Sequence, residues 1–223
     1  MRTRSFVFAT AAVLSGCGQP TEAANVTADT QAIGQRSAPV RFDIAGIRVG
    51  DTVEGAAATL RQRGWVVEVQ TGGWSFDDHV RRAQAQAAGR SVSPRLDGPQ
   101  ALSARKNGEF LFARVRASPT GGIIETVSYT SPGAGRTREQ MIAEVQARYG
   151  PGVRRTPRSA DWRICVRAEP ACGQNPSQFN RIEFEVGPQL EISAFPGVTE
   201  RRQWQATFDA ALRARVGPAQ STY

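Results

Sequence analysis

The chain has 223 residues, 40% of them hydrophobic, which is apolar material enough for one large domain or two small ones with real cores. Lysine and arginine outnumber aspartate and glutamate by 28 to 20, for a formal charge of +8, and Lys106 is the only lysine among those cations. The arginines are spread along the whole chain instead of gathering in one patch, which argues against a nucleic-acid interface and for solvated faces, with anionic lipid headgroups as the partner class such a balance would suit.

The chain opens on Arg2 and Arg4, then an apolar run from Phe6 to Leu14. That run falls well short of the roughly 20 residues of a membrane-spanning helix, and with small residues after it has the build of a secretory signal. Leu14-Ser15-Gly16-Cys17 resembles the bacterial lipobox. The resemblance implies that residues 1–16 are a signal peptide, that the Cys17 thiol carries a diacylglyceryl group, and that the amine freed by cleavage is acylated. Two or more acyl chains make a lasting membrane anchor where one gives only marginal binding. Gly18 stands where an aspartate would imply inner-membrane retention, so the resemblance implies an outer-membrane protein facing the periplasm.

With Cys17 given to lipid by that resemblance, Cys165 and Cys172 remain as a possible disulfide pair, expected to be structural. They enclose a short loop containing Pro170, and such a crosslink is expected to stabilise by roughly 2 to 3 kcal/mol.

Residues 17–40 are small and polar and read as a flexible tether, long enough to hold a body roughly 25 Å from a bilayer. The alternation from Phe42 to Val49 predicts a short strand. Asp51 and Thr52 both offer a helix cap, with Glu54 placed for a capping box from Asp51. The helix so opened has Val53, Ala56, Ala57 and Leu60 on one face and stops at Gly64; a strand over Trp65–Val69 follows. Residues 71–99 read as a helical insert, with a weak seam of Val80, Ala83 and Ala87 in a surface helix from Asp77 to Ala88.

Asn107-Gly108 between two alternating runs predicts a two-residue hairpin in which Lys106 faces Glu109, Ala104 faces Leu111 and Leu102 faces Ala113. Ile123, Val127 and Tyr129 continue one face of that sheet. Thr137 and Gln140 predict a capping box, with Met141, Ile142, Val145 and Tyr149 on one side of the helix it opens. Laid on the first helix at an offset of 85, Gly50, Thr52, Glu54, Ala58 and Arg63 meet Gly135, Thr137, Glu139, Ala143 and Arg148, which suggests two copies of one unit. Strands are expected over 161–166, 181–187 and 189–195. Ile182, Phe184 and Val186 can face Ala194, Ile192 and Leu190 only across an odd loop, hence a three-residue turn at Gly187-Pro188-Gln189. Thr199 is expected to cap a last helix whose Trp204, Phe208, Leu212 and Val216 pack on the sheet.

The expected fold class is therefore α+β: an antiparallel sheet with packed helices, in two tandem helix-plus-strands units over 41–130 and 131–218, with a tail at 219–223. The chemistry is sparse. His79 is the sole histidine, so any His-dependent site must use it, but no Gly-x-Ser-x-Gly motif accompanies it and it reads as a solvent-facing helix residue. Asp77 and Asp78 suit a helix start after Ser75, and Glu183 and Glu185 alternate with apolar residues on an outer sheet face. No ligand spacing suits a metal, and neither Gly72-Gly73 nor Gly133-Ala134-Gly135 forms a phosphate loop, so no metal, cofactor or catalytic residue is expected. Arg154, Arg155 and Arg158 with Trp162 and Arg163 form the one basic cluster worth following as an anionic-glycan or lipid-headgroup site.

A lipobox, a tether and a Gly-x-Thr-capped helix over Gly46–Gly64 leading into antiparallel strands is similar to the small outer-membrane assembly lipoproteins of the SmpA/OmlA type, and resembles the tandem-repeat architecture of β-lactamase inhibitor proteins. These likenesses imply a non-enzymatic envelope lipoprotein that binds a protein or cell-wall partner. The alternatives are an inhibitor of a secreted hydrolase, with the Cys165–Cys172 loop as its inserting element, or an exported hydrolase using His79.

Overall fold

The computed structural model describes residues 42–154, 161–165 and 175–217. The alternating segment at its start is not one strand but a tight hairpin, β1 (Asp43–Ile44) with β2 (Ile47–Arg48). Ala45 and Gly46 lie at φ of +53° and +93°, the left-handed pair that lets two residues reverse a chain. α1 (Val53–Gln62) is capped by Thr52, whose hydroxyl accepts the Gly55 N–H at 3.2 Å. Asp51 does not form the expected box with Glu54; its carboxylate accepts the Arg48 N–H at 2.8 Å and closes the hairpin exit. Val53, Ala56, Ala57 and Leu60 are buried, as the helical spacing requires.

β3 (Val66–Gly73), β4 (Gly98–Lys106), β5 (Glu109–Ser118) and β6 (Gly121–Pro132) form an antiparallel run. α3 (Arg138–Tyr149) opens the second half and β7 (Val153–Arg154), β8 (Asp161–Cys165), β9 (Arg181–Val186) and β10 (Gln189–Phe195) follow it. All eight strands from β3 on make one sheet, in the order β3-β4-β5-β6-β10-β9-β8-β7. Among the described residues each half thus has a leading helix and four strands of the sheet, and the last strands of the halves, β6 and β10, pair antiparallel at the centre. The fold is α+β in two like units whose joining edges satisfy each other's backbone groups. Thr52 and Thr137, 85 residues apart, occupy the same N-cap position in the two helices.

The Asn107-Gly108 hairpin has the expected register, with Lys106 opposite Glu109, Ala104 opposite Leu111 and Leu102 opposite Ala113. Val186 pairs with Leu190 across a three-residue turn, which puts Ile182, Phe184 and Val186 in line with Ala194, Ile192 and Leu190. One expectation fails at β6. A bulge opposite Arg114 and Val115 shifts the alternation, so Ile124, not Ile123, joins Val127 in the core, each fully buried. On the sheet face under α1, α3 and the first hairpin, Leu102, Leu111, Val127, Ile182, Phe184 and Ile192 make the floor of the main core.

The insert holds α2 (Phe76–Ala87) between β3 and β4. α4 (Val198–Val216) is capped by Gly197, not Thr199, and packs on α2 as well as on the sheet: Phe208 meets Phe76 edge-on at 5.2 Å. None of Trp204, Phe208, Leu212 or Val216 is fully buried, because the row is shared between two shallow contacts. Arg116, whose side chain is on the face opposite Leu111, bonds Gln205 of α4, which places α4 over one end of the second sheet face.

Asp78 ties the insert down. It is 1% exposed, forms a capping box with Ser75, bonds Arg81, and accepts the Arg95 N–H at 3.0 Å from the loop leading to β4. The Arg95 N–H draws its carboxyl well below the usual carboxylate range; burial works against this, and Ser75 and Arg81 add to it. A folded-state pKa below the unfolded one means that the ionised form stabilises the fold, in full above about pH 4 and progressively less as pH falls below that. Asp78→Asn is therefore expected to lower the urea midpoint at pH 7 and to shrink the loss between pH 5 and pH 3. Equal acid sensitivity in the variant would refute the assignment.

Candidate functional site

Eight strands at about 4.8 Å spacing make a sheet roughly 34 Å wide, which two helices of about 10 Å diameter cannot roof. Between α1 and α3 the first hairpin fills only part of the gap, and a cleft of about 660 Å³ remains, within the range of small-molecule sites. Its floor is Trp65, Tyr129, Ser131, Leu190 and Ile192, its walls Ile44 and Ala45 of the hairpin turn and Val145 and Tyr149 of α3. β6 and β10 run beneath it, so the cleft straddles the seam between the two units.

Polar groups ring this apolar floor. Tyr129 donates its hydroxyl to Glu109 at 2.7 Å, and burial, with the Glu109 carboxylate beside it, pushes the phenol up to about 12, so it stays a protonated donor at neutral pH. Tyr149 donates to the Asp43 carbonyl at 2.9 Å, and its phenol is likewise raised by burial. Arg136 donates to Glu144 at 2.8 Å and to the Gly133 and Pro132 carbonyls, bracing the turn before α3. Arg148 reaches back to Asp43 at 3.1 Å and stacks over Tyr149. No sequence cue singled out Trp65, Tyr129 or Glu109 as neighbours; they come together only through the register of four strands.

The opposite sheet face is covered at one end by α2 and α4. At its other end Val66 is 79% exposed and Phe112 36% exposed, Arg105 stacks over Phe110 at 5.7 Å, and Ser128 and Ser193 share a 2.9 Å hydrogen bond across the β6–β10 seam. Arg114 is exposed on the same face, diagonal to Phe112's cross-strand partner Ser103.

Residues singled out from sequence are scattered. His79 is not a solvent-facing helix residue; it is half-buried between Trp74 at 5.1 Å and Phe208 at 5.0 Å, and burial lowers its pKa, with Asp78 opposing and Arg82 and Arg116 adding to the fall. The basic cluster divides between the two faces of the sheet. Arg154 stacks over Trp162 at 5.0 Å, and Trp162 stacks on Phe184, while Arg163 is on the other face with Glu183. Glu183 accepts from both Arg163 and Arg181 on a single oxygen, and Glu185 is exposed beside it. Asp77 is exposed and stands 3.9 Å from Arg215. Cys165 is disulfide-bonded; Cys17, Cys172, Arg155 and Arg158 lie outside the described residues. Among the described residues no three His, Cys, Asp or Glu side chains gather as a metal site, and no helix is long and apolar enough to cross a membrane.

Comparison of the chain with protein families, with curated proteins and with solved structures finds no match.

Proposed function

We propose that this chain is a lipid-anchored protein of the bacterial envelope that works by binding a protein partner on the bare end of its sheet, not by catalysing a reaction. The observation that carries the reading is the juxtaposition of Val66, Arg105, Phe110, Phe112 and Arg114 on that uncovered face. Arginine and aromatic side chains supply most of the energy at protein interfaces, and an antiparallel sheet is a rigid platform that loses little entropy on binding. Arg105 and Arg114 flank Phe110 and Phe112, while the carboxylates of the same face include Glu68 beside them and Glu191 and Glu185 farther along the sheet, so the face suits a partner that sets acids opposite the two arginines around an apolar centre. The anchor rests on the lipobox-like residues ending at Cys17, and the 17–40 tether would let the body stand roughly 25 Å off the bilayer, with the face free to meet a partner.

A photo-crosslinking residue at position 112 in intact cells is expected to give one discrete protein adduct, lost in the Arg105→Glu, Arg114→Glu double variant. No adduct, or one indifferent to charge reversal, refutes the binding face. The anchor is tested separately: Cys17→Ser is expected to abolish incorporation of labelled palmitate and release the protein from membranes, and retention there would refute the anchor.

A further inference from the structure

The cleft on the helix-covered face carries a charge that its own residues do not balance. Arg63, Lys106, Arg136 and Arg148 line it, with only Glu109 and Glu144 as carboxylates. Glu144 is taken by Arg136, and Arg148 is held from below by Asp43. Lys106 stands opposite Glu109 across the β4–β5 ladder and donates to the Arg63 carbonyl at 2.6 Å. The Arg63 guanidinium alone has no hydrogen bond or ion pair among the described residues.

Its position is nonetheless specified. It lies flat on the hairpin turn, over the bare Cα of Gly46, where a Cβ would fall 2.2 Å from its Cζ. Gly46 also needs its φ of +93°, so the turn and the seat for Arg63 are the same residue. The result is a cationic corner at the rim of the apolar and aromatic floor, the Arg63 guanidinium over the hairpin turn and the Lys106 ammonium on the Arg63 carbonyl, both lining the cleft.

We propose that this cleft binds a small amphipathic anion. The acid group sits at Arg63 and Lys106, and the apolar body lies along Trp65, Leu190, Ile192 and Val145. A carboxylate and a phosphate monoester share the required chemistry. The proposal is independent of the protein-binding reading, which concerns the other face of the sheet.

Isothermal titration of the full chain carrying Cys17→Ser, which removes any lipid of its own, tests it. Octanoate and octyl phosphate are the probes, against octanol, octyltrimethylammonium and acetate. At least one octyl anion is expected to bind about tenfold tighter than octanol and the octyl cation, the size of one charge-assisted contact. Which of the two it is tells carboxylate from phosphate. Arg63→Gln is expected to reduce that affinity about tenfold with an unchanged unfolding midpoint, whereas Arg138→Gln, on the exposed start of α3, leaves it alone. Four outcomes overturn the proposal: no binding by either anion, octanol binding equally well, acetate binding equally well, or an Arg63→Gln titration that matches the parent.

Discussion

Leu111→Ala is expected to cost about 3 kcal/mol, the middle of the range for emptying a well-packed core site. Leu111 is fully buried near the start of β5, with Ala104 beside it on β4 and Tyr129 on β6. Ala104 is too small to fill the space, and Tyr129 is held in place by its bond to Glu109, so the void cannot collapse from either side. In a body of this size the loss corresponds to a fall in thermal midpoint of roughly 6 to 12 °C, read by circular dichroism. Leu111→Met, which keeps the volume, should lose under about 1.5 kcal/mol. A midpoint within two degrees of the parent for Leu111→Ala would mean that the sheet face under the helices is not the core described above.

Glu183→Ala is the second large loss. Its carboxylate receives Arg163 at 3.1 Å and Arg181 at 2.9 Å, and these arginine side chains are only 12% and 14% exposed. Burial disfavours the charged carboxyl, yet the two arginines outweigh it and hold it below its usual range, so the ion pair adds stability above about pH 4 and loses it below. Removing the carboxylate strands two nearly buried cations, one of which already has a buried Nη1 without a partner. Complete burial would put the cost at 3 to 5 kcal/mol; with the carboxylate itself 30% exposed, about 2 kcal/mol is expected in urea titrations at pH 7. The diagnostic is non-additivity. Arg163→Met added to Glu183→Ala should recover part of the loss, and a strictly additive pair would show that the charges are independent.

What could be read from the residues in order is what local chemistry alone decides. Thr137 with Gln140 makes a capping box whatever surrounds it, and Asn107-Gly108 sets the hairpin register because few other residues tolerate its two left-handed positions. The odd loop at Gly187–Gln189 follows from the need to keep Glu191 off the core side. The helix-then-strands repeat is visible for the same reason, since the cap residues Thr52 and Thr137 and the glycines before them, Gly50 and Gly135, recur 85 positions apart.

The misreadings fall where two local signals compete or where a distant partner chooses. Asp51 and Thr52 both suit an N-cap, and the Arg48 N–H claims Asp51. Ile123 and Ile124 are chemically alike, and the bulge opposite Arg114 and Val115 chooses between them. His79 looks solvent-facing in a weakly amphipathic helix until α4, more than a hundred residues on, lays Phe208 against it.

By itself, then, the sequence determined the elements, their caps and turns, the alternation that divides each strand into a buried and an open side, and the doubling of the unit, because each of these depends on residues within a few positions of one another. Only the tertiary structure decided that the two units meet through β6 and β10, that α2 and α4 cover one end of the second face and leave the other bare, and that Arg63, Trp65 and Tyr129 share a cleft with α3. Those outcomes depend on how wide a sheet is relative to the helices that roof it and on which edges pair, quantities that belong to the assembled chain and to no segment of it.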